Sequence, residues 1–175
     1  MRFDLSVREI VTLPHPILRQ KARKVTDFGP ELQTLVDDMV ETMRVAPGVG
    51  LAGPQVNVPL RVIVVEYGSD EDEEAPLKLY TVVNPEITRL SQETETGMEG
   101  CLSIPQIVGE VERPLQATIR GFNRRGQPLK LKANGWLARI FQHEIDHLEG
   151  VLFVDKAARL WQQSDLPENL PAQRV

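Results

Sequence analysis

Between residues 30 and 44 apolar side chains return every three or four positions, as Leu32, Leu35, Val36, Met39, Val40 and Met43, against Gln33, Asp37, Asp38 and Glu41. That spacing predicts an amphipathic helix with one face in a core. Pro30 suits its first turn, where a missing N–H leaves no bond unmade. Pro47 to Pro54 is too rich in glycine and proline to continue the helix. Arg61 to Tyr67 holds the unbroken run Val62-Ile63-Val64-Val65 and predicts a strand, with Lys78 to Val83 as its partner. The acidic run Asp70-Glu71-Asp72-Glu73-Glu74 is read as a solvated loop between them. A second hairpin is expected from Leu115 to Phe122, a turn through Asn123-Arg124-Arg125-Gly126, and the alternating Leu129-Lys130-Leu131-Lys132. A second long helix is expected from Gly135 to Glu149, with Asn134 as N-cap and Gly150 as its stop, and a short amphipathic helix from Lys156 to Gln163. Several strands around one central helix, with no βαβ repeat, imply an α+β fold of mixed and antiparallel sheets.

A length of 175 residues fits one compact domain, read here as 1–164, followed by a C-terminal tail, 165–175, expected to be mobile around Pro167 and Pro171. The net charge is −5, and the acidic run alone accounts for it, so the remainder is balanced. A nucleic-acid binder would carry the opposite sign and a basic stripe, and neither is present. No apolar run approaches the ~18 residues of a membrane-spanning helix. Arg2, Asp4, Arg8 and Glu9 argue against a signal or transit segment, so a cytoplasmic, bacterial setting is expected. Cys101 is the only cysteine, which excludes an intrachain disulfide and suits a reducing compartment.

Two of the three histidines fall in His143-Glu144-Ile145-Asp146-His147. On the predicted helix they share a face, so both imidazoles can reach one ion, while Glu144 beside the first can accept a proton from water. A catalytic site of this type needs a third protein ligand. Extended metallopeptidase motifs place a histidine six residues after the second, where this chain has Phe153. His15 lies between two prolines with no motif behind it, and Asp155, Asp165 and Glu168 lie near the terminus. Cys101, in Glu99-Gly100-Cys101-Leu102-Ser103, is the strongest remaining candidate, since a thiolate binds borderline-soft divalent metals well.

Gly48-Val49-Gly50-Leu51-Ala52-Gly53-Pro54-Gln55, the cysteine segment and Gln142-His143-Glu144-Ile145-Asp146-His147, in that order, resemble the three signature motifs of peptide deformylases. The resemblance spans roughly residues 5 to 155 and implies an α+β domain with the metal-binding helix against β-sheets. It implies an enzyme that removes the formyl group from N-formylmethionine of newly synthesised polypeptides. Cys101, His143 and His147 would then hold one divalent ion, with Fe2+ favoured by the resemblance and Zn2+ able to occupy the same site. Glu144 would be the general base, and the Gln55 amide and Leu102 N–H would donate to the developing oxyanion. Gly50 would bond an extended substrate, and Val49, Trp136 and Ile140 would line the methionine pocket, with Arg139 at its rim. Glu99 and Arg113 are expected to pair and hold the cysteine strand. The partners implied are nascent formyl-methionyl peptides and, transiently, the ribosome, although Lys156, Arg159 and Arg174 are offset by Asp155, Asp165 and Glu168 and form no basic patch.

One position departs from the family pattern. Gly53 stands where a second alanine is usual, and it is expected to loosen the loop that carries Gln55. With an ordinary negative φ at 53, alanine would be expected to tighten that loop and stabilise slightly. Two other classes remain at this stage: a general metallopeptidase, in which the cysteine and glutamine motifs have no place, and a non-catalytic relative, against which stands the presence of every expected ligand and Glu144.

Overall fold

The computed structural model describes residues 6–167 and 173–175. Helix α1 (Pro30–Val45) follows an extended segment and leads to a short strand β1 (Gly50–Ala52), in the stretch too glycine-rich for helix. Strands β2 (Val62–Tyr67) and β3 (Lys78–Leu90) come next, then β4 (Thr94–Cys101), β5 (Ile104–Pro114), β6 (Gln116–Phe122) and β7 (Pro128–Asn134). Helix α2 (Gly135–Leu148), a single turn α3 (Phe153–Lys156), β8 (Arg159–Gln162) and β9 (Gln173–Arg174) complete the order. The strands form a five-stranded antiparallel sheet, β1-β2-β3-β6-β7, and a four-stranded mixed sheet, β8-β5-β4-β9.

The run Val62-Ile63-Val64-Val65 is apolar throughout because its sheet is covered on both faces. Val62 and Val64 pack with the α1 stripe of Leu32, Leu35, Val36, Met39 and Met43. Ile63 and Val65 point the other way, into a cluster with Ile140, Phe141, Ile145 and Leu148 of α2. Helix α2 is therefore held between the sheets, and from Ala138 to Leu148 every residue except Asp146 is buried, polar ones included. That burial of Arg139, Gln142, His143, Glu144 and His147 is costly unless each has a partner or a task.

The start of α2 departs from expectation. Asn134 makes no side-chain cap; Asp70 of the acidic run does, its Oδ2 accepting the Trp136 N–H at 3.0 Å while its Oδ1 accepts the Tyr67 hydroxyl. Gly135, with φ +60°, lies so close to the Asp70 carboxylate that a side chain there would collide with it. The acidic run is exposed as expected, and one of its members is in addition a cap supplied from a distant segment. At the other end Gly150 takes φ +72° and stops the helix as expected. The helix expected over Lys156–Gln163 does not form: α3 ends at Lys156, and β8 pairs Gln162, Trp161, Leu160 and Arg159 with Ile107, Val108, Gly109 and Glu110. A short segment with no strong apolar stripe gains more from an open sheet edge than from an isolated helical turn. Of the expected tail, residues 168–172 lie outside the described residues, while Gln173–Arg174 pair with β4.

Candidate metal centre

Cys101 ends β4, where the register with β5 shifts between Gly100 and Cys101 and the chain turns through Leu102 and Ser103. The shift aims the sulfur across to α2, which presents His143 and His147 one turn apart. The three ligand atoms lie within 4.8 Å of one another, and all three residues are buried. Sγ of Cys101 is 3.4 Å from Nε2 of His147. His143 has its Nδ1 bound to Glu99 at 2.9 Å, while its Nε2 is buried without a partner among the described residues. An orphaned ring nitrogen converging with a thiol and a second imidazole is the donor set of a divalent transition-metal ion, and the residues fit one.

Behind His143 the structure is closed by charge. Glu99 is fully buried and accepts Arg113 Nη2 and Nε at 2.8 and 2.6 Å, Arg139 Nη1 at 2.7 Å, and His143. The expected Glu99–Arg113 pair is present. Burial opposes the Glu99 charge, but the hydrogen bonds from Arg113 and His143 outweigh it and hold its carboxyl well below the usual carboxylate range. Arg113 also bonds Asp146 at 2.9 Å, and Lys156 reaches Asp146 at 3.0 Å. Arg139 is not at a pocket rim. It is buried, donates further to the Val111 and Glu95 carbonyls at 2.8 and 2.7 Å, and lies 5.4 Å from the Trp136 ring. Gly97 makes the room, since a Cβ there would touch the guanidinium.

Glu144 is the opposite case. It is fully buried, and neither carboxylate oxygen has a hydrogen-bond partner among the described residues. Burial first, and the charge of Glu99 second, push its carboxyl well above the usual range. Its side chain lies directly over Gly50, where any Cβ would meet Oε1 at 2.7 Å. Burial, followed by the charge of Glu144, also pushes the Cys101 thiol up to about 12, against N–H donors from Ser103 and Ile104. Burial, then His143 and Arg113, holds the His147 imidazole well below the usual histidine range.

Gln55 sits in the single 3-10 turn Gly53–Val56 and is buried. Its Oε1 accepts the Ala52 N–H at 3.0 Å, which turns Nε2 toward Ser103 Oγ at 3.2 Å and Cys101 Sγ at 3.6 Å. Among the described residues no loop or turn hydrogen bond uses the Leu102 N–H. A small cavity of about 130 Å³ opens at the cysteine, lined by Gly100, Cys101, Leu102, Ile104 and Val108 among others. The backbone at Gly53 is not left-handed, as the sequence suggested, but space decides the matter: a Cβ would lie 2.6 Å from the Leu60 carbonyl oxygen and 3.0 Å from that of Val58. The expectation that alanine would stabilise this loop is therefore overturned by backbone that cannot give way cheaply.

Ile140 is completely buried in the cluster between α2 and the five-stranded sheet, and Val49 and Trp136, both part-buried, pack against that same cluster. His15 is elsewhere, its Nδ1 accepting the Ile17 N–H at 3.2 Å. Sequence reasoning missed the roles of Arg139, Asp70 and Ser103. Only Arg139 left a signal, a charged residue within the helix stripe that faces the core.

The sequence model of the family described as Polypeptide deformylase matches residues 7–163. The peptide deformylase of Desulforudis audaxviator is 45% identical over 161 residues, 92% of this chain and 100% of that protein. Peptide deformylase 1 of Bacillus subtilis is 43% identical over 164 residues, 94% of this chain and 98% of its own. The crystal structure of peptide deformylase from Thermotoga maritima superposes with a TM-score of 0.80 at 38% identity, covering 88% of this chain and 99% of that one. The Met-Ala-Ser-bound class I type b peptide deformylase from Acinetobacter baumannii gives a TM-score of 0.81 at 36% identity, covering 87% and 99%.

Proposed function

The chain belongs to the polypeptide deformylase family, and from that premise we propose how its own residues divide the work. The reaction is metal-dependent hydrolysis that removes the N-formyl group from newly synthesised formyl-methionyl polypeptides. Cys101, His143 and His147 would hold the ion, Fe2+ in preference to Zn2+ on the resemblance of the motifs. The ion supplies Lewis-acid polarisation of the formyl carbonyl and lowers the pKa of water at neutral pH.

Glu144 then acts as the general base. It takes a proton from the attacking water as oxygen adds to the formyl carbon, and returns it to the amine as the C–N bond breaks, leaving formate and a free methionyl amine. A buried carboxyl with a raised pKa and no competing donor is suited to carrying that proton. The Gln55 amide, turned by the Ala52 N–H, and the N–H of Leu102 would donate to the oxyanion. β1 is the edge strand of its sheet, so Gly50 can offer backbone bonds to an extended peptide, and the absence of a side chain there is what leaves Glu144 its place. Val49, Trp136 and Ile140 would bound the seat of the methionine side chain. We take residues 1–164 as the catalytic domain with 165–175 as a tail, the setting as the bacterial cytoplasm, and the ribosome as a transient contact.

The observation that carries the reading is the orphaned Nε2 of His143, locked from behind by Glu99 and converging with Cys101 and His147. The metal-loaded chain should release formate from formyl-Met-Ala-Ser and leave Met-Ala-Ser intact. Cleavage of an internal peptide bond instead, or no formate with the ion bound, would overturn it.

A further inference from the structure

The open edge of β4 beside the ligand cysteine already carries part of this chain. β5 covers one side of β4, and on the other Gln173–Arg174 run parallel to it, opposite Glu99 and Gly100. The N–H of Val175 donates to the Gly100 carbonyl at 3.2 Å. The Val175 side chain is completely buried in the cluster that contains Ala52, Ile140 and Ile145, against which Val49 and Trp136 pack. The segment thus uses a strand edge one residue from Cys101 and an apolar seat among the residues assigned above to the methionine side chain. A peptide delivering methionine to that seat cannot share it with Val175.

We infer that residues 173–175 form an intramolecular strap that occupies the substrate groove and competes with incoming formyl-methionyl peptides. The identity of the competitor rests on the deformylase reading; the seat of the segment does not. Two register pairs and one valine hold the strap, and the ordering of each strap residue opposes closure, so open and closed forms are of comparable weight. Substrate then binds only the open fraction, and a strap closed between half and nine-tenths of the time raises KM by about two- to tenfold without touching kcat. Methionine, longer and more flexible than valine, is the better occupant of the seat.

Two measurements on the full chain test this. In steady-state kinetics with formyl-Met-Ala-Ser, Val175→Asp, whose charge cannot stay in the apolar seat, should lower KM by about two- to tenfold with kcat unchanged. Hydrogen exchange in the unaltered protein should find the Val175 amide slowed by about two- to tenfold without peptide, the reciprocal of the open fraction, and released at saturating Met-Ala-Ser. An unchanged or higher KM in Val175→Asp, or a Val175 amide still protected with the tripeptide bound, would make Val175 an ordinary core residue and end the proposal. Should neither protein release formate, the deformylase reading fails; the exchange measurement still decides, because a Val175 amide unprotected in the free protein removes the strap.

Discussion

Glu99 and Glu144 are both fully buried, yet the regions around them are built on opposite terms. Behind His143, Glu99 is met by two guanidinium groups and an imidazole, and its charge is permanent. Around Glu144 no donor is offered among the described residues, and its carboxyl is biased toward holding a proton. One region fixes the His143 ring in place; the other leaves a buried carboxyl that, on the proposed mechanism, exchanges a proton. On the proposed mechanism the same residue type serves as a strut in one place and a base in the other because the partners differ, not the burial.

The largest expected effect lies where the two regions meet. Cys101→Ala should lose the bound ion and bring formate release to background, since a three-ligand site has none to spare; metal analysis beside the formate assay checks both. The unaltered thiol, pushed up to about 12, keeps its proton in the neutral range, so ion uptake must expel it. Metal affinity should therefore rise with pH, by about tenfold per unit, with roughly one proton released per ion, readable by calorimetry in buffers of different ionisation enthalpy.

Breaking the strut comes next. Glu99→Ala frees the ring of His143 and leaves Arg113 and Arg139 buried without their shared anion. Metal affinity should fall by about 10–100-fold, and stability by about 3–5 kcal/mol in a denaturant titration. A variant of unaltered metal affinity would show that His143 is positioned by packing alone.

How much of this contrast was readable in the sequence follows from which contacts are local. The spacing of His143 and His147, Glu144 between them and the α1 stripe are properties of consecutive residues, and the structure places these residues on the helices expected. The motif order supplied Cys101. The strand that carries it has no bounds or partner legible in its residue pattern, because Thr94–Gly100 alternates weakly and is rich in glutamate and glycine; its pairing with β5 is settled by partners distant in sequence. Arg139 reads as the rim of a pocket until Gly97, on another strand, is seen to admit it to Glu99. Asp70 is solvent-exposed, as its acidic run suggests, but its cap to Trp136 joins residues 66 positions apart that no local pattern links. Gly53 was judged on backbone angle, and only the fold could show two carbonyl oxygens where the methyl group would go.

Gly53 supplies the smallest effect. Gly53→Ala should lower stability by about 1–3 kcal/mol through overpacking. Formate release should drop modestly as Gln55 shifts. A thermal melt at or above that of the unaltered chain would mean that the Val58–Leu60 backbone yields more readily than its contacts suggest.

The contrast between the two glutamates is tested most directly by one paired measurement, metal content and formate release of Glu144→Gln beside the unaltered enzyme. Glutamine matches the shape and removes only the proton acceptor. The variant should keep one ion per chain and lose about 10²–10⁴-fold in turnover, with stability equal or higher because a buried, unpartnered acid is gone. Turnover within a few-fold of the unaltered enzyme, or loss of the ion from Glu144→Gln, would contradict the assignment of Glu144 as the base and the division of labour built on it.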